Sequence, residues 1–391
     1  MNIADKKKVV VLGMMSKIPV AGNIWLVVQY LVGFRRLGYD VYYVEAHART
    51  PSMFMETEHD DSSAQAASLI ASVMNRFDFG DKWAFHALHD DGRCYGMSES
   101  QLKQLYQSAD SIINLHGSTV PAPEHTATNR LIYLETDPVE LEIELFNKDQ
   151  KAIDFLAPHS AFFTWGLNYG NADCEVPLPD GLEFHLSPPP VVLDFWRPHA
   201  NGAGPAFTTV GNWRQTWNTV RFRNDTYHWS KHFEFLKFID LPARSGQQFE
   251  LALSSIDDPE KSMLEEKGWK VRDGLSLSID LDEYRKYITG SRSEFTVAKD
   301  QNIRLRSGWF SERSATYLAS GRPVVMQDTG FGSYLPTGEG LFSFSTMEEA
   351  EDAVEKINSD YERHSRAAYE IAREYLSYEV VLAQIVDEIG I

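Results

Sequence analysis

The sequence has 391 residues, of which 37 are Lys or Arg and 56 are Asp or Glu, so its formal net charge is −19. Its hydrophobic share of 43% and charged share of 24% are those of an ordinary globular protein, which excludes a disordered chain, a collagen and a coiled coil. An acidic surface repels phosphate backbones and anionic bilayers, so nucleic acid is not an expected partner.

Cysteine content and apolar stretches bear on the compartment. The sequence contains two cysteines, Cys94 and Cys174, which fit neither a disulfide framework nor a zinc site. The apolar stretch at residues 24–34 is far shorter than the roughly 20 residues that span a bilayer. We therefore expect a cytoplasmic protein without integral membrane association. At roughly 100–200 residues per domain, its length predicts two or three domains.

The first half of the chain alternates strand and helix patterns, which is typical of a doubly wound parallel sheet. The predicted strands cover residues 8–13, 41–45, 111–115, 131–135 and 161–165. The predicted helices cover residues 23–37, with Asn23 as N-cap and Gly38 just past the end, 62–76 and 99–108. Residues 77–97 are predicted to be irregular and rich in aromatic side chains.

A second α/β series follows the proline run at residues 187–190, which predicts a stiff linker. Its predicted strands cover residues 206–210, 249–253, 294–298 and 323–326, and its predicted helices 259–267, 312–320, 347–357, 361–375 and 378–389. We divide the chain into an N-terminal Rossmann-like domain (1–190), a C-terminal one (191–365) and helices that cross back (366–391). The carboxyl ends of both sets of parallel strands then face one cleft, where ligands bind in such sheets.

One segment resembles a known family. Residues 307–325 read SGWFSERSATYLASGRPVV and are followed by QDTGF. This resembles the nucleotide-sugar signature of GT-B glycosyltransferases, in which a loop opens a helix, the helix ends at a glycine, and Pro-Val-Val starts the next strand. The glycine loop after the first strand, the run RLGYDVYYV and the Thr209-Val210-Gly211 strand end are similar to that family too. The chain looks like a divergent relative of the retaining family-4, or group 1, glycosyltransferases.

The resemblance implies a nucleotide sugar bound mainly by the C-terminal domain. A leaving diphosphate gains negative charge, which helix N–H groups and cations stabilise. The donor-side residues predicted on this basis are Gly13, Gly22, Arg214, Lys299, Arg306, Trp309, Ser311, Glu312, Arg313, Ser314 and Thr316. For several of them a structural role is an open alternative: the glycines as turn residues, Glu312 as a carboxylate placed for the helix dipole, and Trp309 as core.

The sequence departs from the family pattern at its two glutamates. Counted back from Gly321, their positions hold Gly308 and Thr316. Glu312 lies one helical turn before Thr316 and is expected to take over a ribose or sugar hydroxyl. Because both glutamates are missing, the sequence leaves retention or inversion of the sugar's configuration open.

Four residues at predicted strand ends that face the cleft are the candidate catalytic residues. They are Glu45, His116, Glu135 and Asp137. In the family a histidine at the place of His116 contacts the donor sugar, and an inverting enzyme needs a general base toward the acceptor hydroxyl. For Glu135 and Asp137 a solvated strand end is the alternative, and for His116 a strand-end histidine whose hydrogen bonds are satisfied within the fold. The aromatic stretch at residues 50–100, with Phe54, Trp83, Phe85 and Tyr95, is predicted to shape the acceptor site.

The functional hypothesis is a metal-independent glycosyltransferase that uses a nucleotide sugar as co-substrate and needs no cofactor. Asp280-Leu281-Asp282 has the spacing of a metal motif but indicates a helix start. A nucleotide-sugar epimerase and a non-catalytic two-domain binding protein remain alternatives. A dinucleotide oxidoreductase is disfavoured, because neither half carries the glycine fingerprint. The nucleotide base, the sugar, the acceptor and the oligomeric state are not predicted.

Overall fold

The structure is a computed structural model that describes residues 6–47, 52–57, 59–197, 202–215 and 219–391. The strands are β1 (Lys8–Leu12), β2 (Asp40–Glu45), β3 (Trp83–His86), β4 (Cys94–Tyr95), β5 (Ser111–Leu115), β6 (Leu131–Glu135), β7 (Ala161–Thr164), β8 (Phe184–Leu186), β9 (Ala206–Asn212), β10 (Thr219–Phe222), β11 (Asp225–His228), β12 (Gln248–Ser254), β13 (Trp269–Asp273), β14 (Ser293–Thr296), β15 (Val324–Gln327) and β16 (Leu341–Phe344). The α-helices are α1 (Ala21–Arg36), α2 (Ser62–Arg76), α3 (Glu99–Ser108), α4 (Pro123–Thr126), α5 (Glu140–Phe146), α6 (Gln150–Leu156), α7 (His232–Lys237), α8 (Leu241–Ser245), α9 (Asp258–Glu266), α10 (Gly274–Ile279), α11 (Leu281–Gly290), α12 (Asp300–Arg304), α13 (Glu312–Ala319), α14 (Met347–Ser359), α15 (Tyr361–Ile371) and α16 (Tyr378–Ile389).

The first sheet has the order β4-β3-β2-β1-β5-β6-β7-β8. Its strands pair in parallel except β3 with β4. The central strand β1 pairs Val9 with Val41 on one side and with Ser111 on the other. Because both faces of this strand are covered, Val9, Val10, Val11 and Leu12 are all fully buried.

The second sheet is parallel throughout, in the order β13-β12-β9-β14-β15-β16. In chain order this is the 3-2-1-4-5-6 arrangement of a doubly wound fold, whose topological switch lies beside its first strand, β9. The prediction of two Rossmann-like units with parallel sheets is confirmed.

The C-terminal helix packs back against the first half of the chain. A Cβ at Gly33 in α1 would lie 2.4 Å from Leu382 Cδ1 in α16, so the missing side chain allows the two helices to approach closely. Val191, just past the proline run, forms a bridge with Ser377, which precedes α16. The predicted return of the last helix to the N-terminal half is therefore confirmed.

Several local predictions were wrong. Asn23 lies inside α1, whose N-cap is Val20, and its amide donates to the Ile18 carbonyl at 2.9 Å instead of capping the helix. Residues 77–97 contain β3 and β4, and the predicted helix over residues 361–375 leaves α-geometry after Ile371. The β10–β11 hairpin was not predicted at all. Among the described residues, no helix combines the length and apolarity that crossing a bilayer requires.

Candidate functional site

A cavity of about 810 Å³ opens between the two halves. The first half contributes Ile18 and Val20 from the loop that leads into α1, and Gly22 from the first turn of α1. The second half contributes the carboxyl ends of β9, β12 and β13 together with the start of α13. The volume lies within the range of about 300–1,000 Å³ that small-molecule sites occupy, and the location is where a doubly wound sheet binds its ligand.

Glu45 holds in place the glycine loop of the first half, which connects β1 to α1. This carboxylate is fully buried; it accepts hydrogen bonds from Ser16 N at 2.8 Å and Tyr43 Oη at 2.6 Å, and it pairs with His47. A Cβ at Gly13 would lie 2.6 Å from the Tyr43 ring, so Gly13 serves this packing and does not line the cavity. The catalytic role predicted for Glu45 is thus contradicted by its placement, because its oxygens position the loop.

The start of α13 reaches the cavity. Ser311 is its N-cap and accepts from Arg313 N at 3.2 Å, while Glu312 and Arg313 line the cavity wall. Gly22 faces them, since a Cβ there would lie 3.9 Å from Glu312 Oε1. The structure therefore brings Gly22, Glu312 and Arg313 together, as the sequence predicted.

Two other predicted residues of α13 face away from the cavity. Ser314 is fully buried and its hydroxyl lies against Met326 Sδ. The Thr316 hydroxyl donates to the Arg313 carbonyl at 2.7 Å, and this side chain lines only a narrow enclosed space beside Gly22. Direct donor contacts by Ser314 and Thr316 do not fit this arrangement, because their hydroxyls serve the core and the helix backbone.

Arg313 is a buried cation whose orientation is fixed by the sheet beneath it. Its Nε donates to Glu294 Oε1 at 2.6 Å, and its two terminal nitrogens donate to the Val210 carbonyl at 2.6 Å and Thr296 Oγ1 at 2.9 Å. Burial alone lowers the pKa of Arg313, but the fully buried Glu294 carboxylate together with Tyr284 and Glu312 outweighs this effect and raises the pKa, so the guanidinium stays charged. Of its five N–H donors, three serve these contacts, which leaves two for a ligand.

A second cavity of about 200 Å³ adjoins the first and shares Arg313, Val210 and Gly211 with it. Its described lining includes three cations, Lys231, Lys299 and Arg313, and no carboxylate. We refer to it as the cationic pocket. Despite the net charge of −19, the cleft therefore contains a concentrated positive site, which suits a diphosphate.

Lys231 was missed by sequence reasoning. It lies immediately before α7, after the β10–β11 hairpin, and its Nζ sits 4.8 Å from the centroid of the Trp309 ring. Among the described residues no carboxylate lies within 4 Å of this ammonium. Burial first, and then the nearby Arg313 and Lys299 charges, lower the pKa of Lys231 to about 7. No motif marked this lysine, because the hairpin that delivers it was not predicted.

Lys299 joins the two halves of the protein. Its ammonium pairs with the Asp137 carboxylate, which follows β6, and lies 3.4 Å from the centroid of the Trp229 ring. Burial lowers its pKa, and Asp137 opposes that shift. The structure thus places Lys299 and Asp137, predicted separately for donor and acceptor sides, in direct contact at the floor of the cleft.

Trp309 and His116 both form a hydrogen bond with Thr136. Trp309 is 8% exposed, donates from Nε1 to the Thr136 carbonyl at 3.1 Å and is covered on one face by Lys231. His116, at a φ of +63°, makes a 2.7 Å hydrogen bond between Nδ1 and Thr136 Oγ1. Trp309 is an interdomain contact and does not line either cavity, so the predicted stacking on a ligand is not supported.

The His116 ring is neutral at physiological pH. Burial lowers its pKa to about 3, and its Nε2 is buried without a hydrogen-bond partner among the described residues. An unpartnered buried ring nitrogen is costly unless a ligand or water satisfies it. This makes Nε2 a candidate contact for a ligand.

Glu135 lies away from both cavities. Its Oε2 accepts from Thr164 Oγ1 at 2.6 Å, and burial together with the neighbouring Glu142 carboxyl raises its pKa well above the ordinary value. Glu142 in turn accepts from Val139 N at 2.8 Å, in a turn where Val139 has a φ of +100°. Glu135 therefore supports the turn behind Asp137, and a base role at the cleft is contradicted by its position.

Two predicted phosphate cations are already neutralised elsewhere. Arg214 forms a bidentate pair with Glu260, at 2.9 and 2.7 Å, outside both cavities. Arg306 bridges Asp173 of the first half and Asp328 of the second, at 2.7 and 2.9 Å. The donor-binding predictions for Arg214 and Arg306 are contradicted, because each side chain points to carboxylates away from the site.

The aromatic acceptor prediction is also mostly contradicted. Phe85 is fully buried, Trp83 is 8% exposed, and Phe54 and Tyr95 pack against the same core. Met53 lines the large cavity instead. Thr50, Pro51 and Glu58 of this stretch lie outside the described residues. Asp280 caps α11 through Asp282 N at 2.7 Å, as predicted, and the described residues contain no metal-binding group of three His, Cys, Asp or Glu side chains.

Comparison with known proteins identifies the fold. No protein-family model and no curated protein matches the sequence. Among solved structures, the chain is similar to Anabaena HepE in complex with UDP-glucose, with a TM-score of 0.60, 11% identity and coverage of 98% of this chain and 99% of that one. It is also similar to sucrose-phosphate synthase from Thermosynechococcus elongatus (TM-score 0.57, 11% identity, 98% of each chain) and to an alpha-glucosyltransferase in complex with UDP (0.53, 11%, 98% and 100%). The chain has the GT-B fold.

Proposed function

We propose that this protein is a cytoplasmic glycosyltransferase that moves a sugar from a nucleotide-sugar donor to an acceptor hydroxyl. The observation that carries the proposal is the cationic pocket at the carboxyl end of β9, next to a cavity large enough for a nucleoside. We assign residues 1–190 to the acceptor side and residues 191–365 to the donor side, with the C-terminal helices tying the two together.

The layout suggests where each part of the donor lies. The nucleoside occupies the large cavity, with the Glu312 carboxylate accepting hydrogen bonds from the ribose. The diphosphate occupies the cationic pocket between Arg313, Lys231 and Lys299. Because two of the neighbouring proteins, HepE and the alpha-glucosyltransferase, are described with UDP or UDP-glucose, uridine diphosphate is the first nucleotide to test.

The chemistry follows from this charge distribution. Breaking the glycosidic bond leaves additional negative charge on the diphosphate, and cations already fixed in the pocket stabilise that charge without reorganisation. Arg313, oriented by Glu294, is the best-fixed of them. Since the protein supplies three positive charges here, we propose that transfer does not require a metal.

The sugar end of the donor is assigned to the floor of the cleft. The neutral His116 ring offers Nε2 to a sugar hydroxyl, with Nδ1 held by Thr136. Asp137 is the one of the three predicted carboxylates whose side chain, 40% exposed, stays at the cleft. We therefore propose Asp137 as the carboxylate to test as base toward the acceptor; the acceptor itself is not assigned.

Ligand-induced stabilisation tests the donor assignment. A ligand that binds only the native protein at a hundredfold above its Kd adds about 2.7 kcal/mol of stability. We expect UDP to raise the Tm clearly more than UMP or uridine, with and without EDTA, and Arg313→Gln to remove the difference. Glu339→Gln, which breaks an exposed pair with Arg363, is the matched control and leaves the UDP response unchanged.

Product analysis then separates the functions. Incubation with UDP-glucose and an acceptor library yields glycosylated product if the proposal is correct. An isomerised donor in the absence of acceptor indicates an epimerase, and a ligand recovered unchanged under all conditions indicates a binding protein. Equal stabilisation by UDP and uridine contradicts the diphosphate assignment.

A further inference from the structure

The three cations of the cationic pocket are held in different ways. Arg313 is paired with Glu294, and Lys299 is paired with Asp137. The Lys231 ammonium instead contacts the aromatic ring of Trp309 and is not paired with a carboxylate among the described residues. Its positive charge is therefore the least compensated of the three.

We propose that Lys231 changes charge state with ligand occupancy: it is largely deprotonated in the empty pocket at mildly alkaline pH and takes up a proton when a diphosphate enters. The inference rests on the proposed function, because it assigns the pocket to a diphosphate. It adds that donor binding is coupled to a proton and identifies the residue that holds it.

The groups around Lys231 support the proposal. From α13 it faces the Arg313 guanidinium and the Glu312 carboxylate, and from β14 and its following loop it faces Glu294 and Lys299. Both carboxylates act at longer range, and Glu294 is already engaged by Arg313. Desolvation and two neighbouring cations thus disfavour the ammonium form, in agreement with a pKa of about 7 for Lys231.

A bound diphosphate reverses this balance. It places two or more negative charges among the three cations, so the ammonium form of Lys231 becomes favoured. By linkage, a group whose pKa rises on binding makes the affinity depend on pH. Above pH 7 we expect the Kd for UDP to rise with pH, by at most tenfold per unit. The regained proton then lies beside the phosphate oxygens that receive charge when the glycosidic bond breaks.

Calorimetry measures directly how many protons the protein takes up when UDP binds. UDP is titrated into the full-length protein at pH 8.0 in two buffers of different ionisation enthalpy, where the terminal phosphate of UDP, with a pKa of about 6, is already ionised. We expect an uptake of about 0.7–0.9 proton per UDP, since about 90% of a group of pKa 7 is deprotonated at this pH. Lys231→Arg carries a permanent charge and is expected to bind UDP with an uptake near zero.

Lys237→Arg is the matched control. Lys237 lies on α7, its ammonium is 60% exposed, and it pairs with Glu234 at 2.7 Å. This variant is expected to keep the proton uptake of the wild type. Binding of UDP without uptake, or uptake that persists in Lys231→Arg, overturns the proposal.

A second measurement is independent of the nucleoside. The side-chain resonance of Lys231, identified by its loss in Lys231→Arg, is followed by lysine-selective NMR. We expect it to titrate near neutral pH in the free protein and to shift to the charged position on addition of inorganic pyrophosphate at pH 8.0. Titration at the ordinary lysine value, or no response to pyrophosphate, overturns the proposal. If UDP fails to bind while pyrophosphate protonates Lys231, the nucleotide assignment fails and the proton coupling stands.

Discussion

Replacing Glu294 by glutamine is expected to lower the stability of the protein and to tighten its binding of diphosphate. Glu294 is fully buried and holds Arg313 Nε at 2.6 Å. Glutamine keeps the shape and an oxygen acceptor but removes the charge, which leaves the guanidinium without its carboxylate. Breaking a buried ion pair on one side costs about 3–5 kcal/mol.

The number of residues allows this loss of stability to be expressed as a change in Tm. With an unfolding entropy of about 2.1 cal/mol/K per residue, 391 residues correspond to about 0.8 kcal/mol per degree. Glu294→Gln should therefore lower the Tm by about 4–6 °C in the absence of ligand. The same variant should bind UDP several-fold more tightly, because the pocket has lost the carboxylate that neutralises Arg313.

Calorimetric unfolding and UDP titration of three variants test this reasoning. Glu339→Gln breaks an exposed pair with Arg363 and is expected to change stability by no more than about 1 kcal/mol. Glu294→Gln combined with Arg313→Met should recover most of the lost stability, since the uncompensated charge is gone. Weaker UDP binding by Glu294→Gln would refute the view that Arg313 acts through its charge. A double variant that is no more stable than Glu294→Gln would refute the buried-pair account.

Three further perturbations have defined outcomes. The pKa of Lys231 is lowered to about 7 in the native state, so between pH 7 and about 10.5 the unfolded chain binds more protons than the native state. The cost of burying this lysine is therefore largest below pH 7, and Lys231→Met should raise the Tm more at pH 6 than at pH 9. Burial raises the pKa of Glu142, which lies beside Glu135, so above the ordinary carboxyl pKa the native state binds more protons than the unfolded state and loses stability as the pH rises. Glu142→Gln should therefore stabilise the protein more at pH 8 than at pH 5 in thermal melts. Gly308→Ala should cost more than 2 kcal/mol in denaturant unfolding, because its Cβ would lie 2.1 Å from Asn168 N at a φ of +81°; a neutral effect would contradict that contact.

The regular elements were predictable where the local pattern is strong. The helices α2, α3 and α16 have the predicted bounds, since apolar residues recur at helical spacing between clear end signals. The second-half motif also placed Glu312 and Arg313 at a helix start facing the cleft. These features depend on neighbouring residues in the chain, which is the information that a single sequence contains.

The chemistry of individual side chains was less predictable, because it depends on partners far apart in the chain. Arg214 and Arg313 both lie near the end of β9, yet their roles differ because of their partners. Arg214 is neutralised at the surface by Glu260, 46 residues away in the chain, whereas Arg313 is held at the cavity by Glu294, 19 residues away. Lys231 enters the site through a hairpin that carries no family motif. A strand-end carboxylate such as Glu45 is indistinguishable in sequence from one that faces the cleft.

The absence of the first family glutamate has a physical reason at Gly308. Backbone N–H groups of the first-half loop donate across the cleft, from Asn168 to the Ser307 carbonyl at 3.2 Å and from Leu167 to the Gly308 carbonyl at 3.4 Å. A side chain at position 308 would collide with that loop, so the close contact between the halves and a glutamate there exclude each other. The same contact brings Trp309 against Thr136 and beneath Lys231. The cationic pocket is thus lined by Lys231, Lys299 and Arg313 and, among the described residues, by no carboxylate.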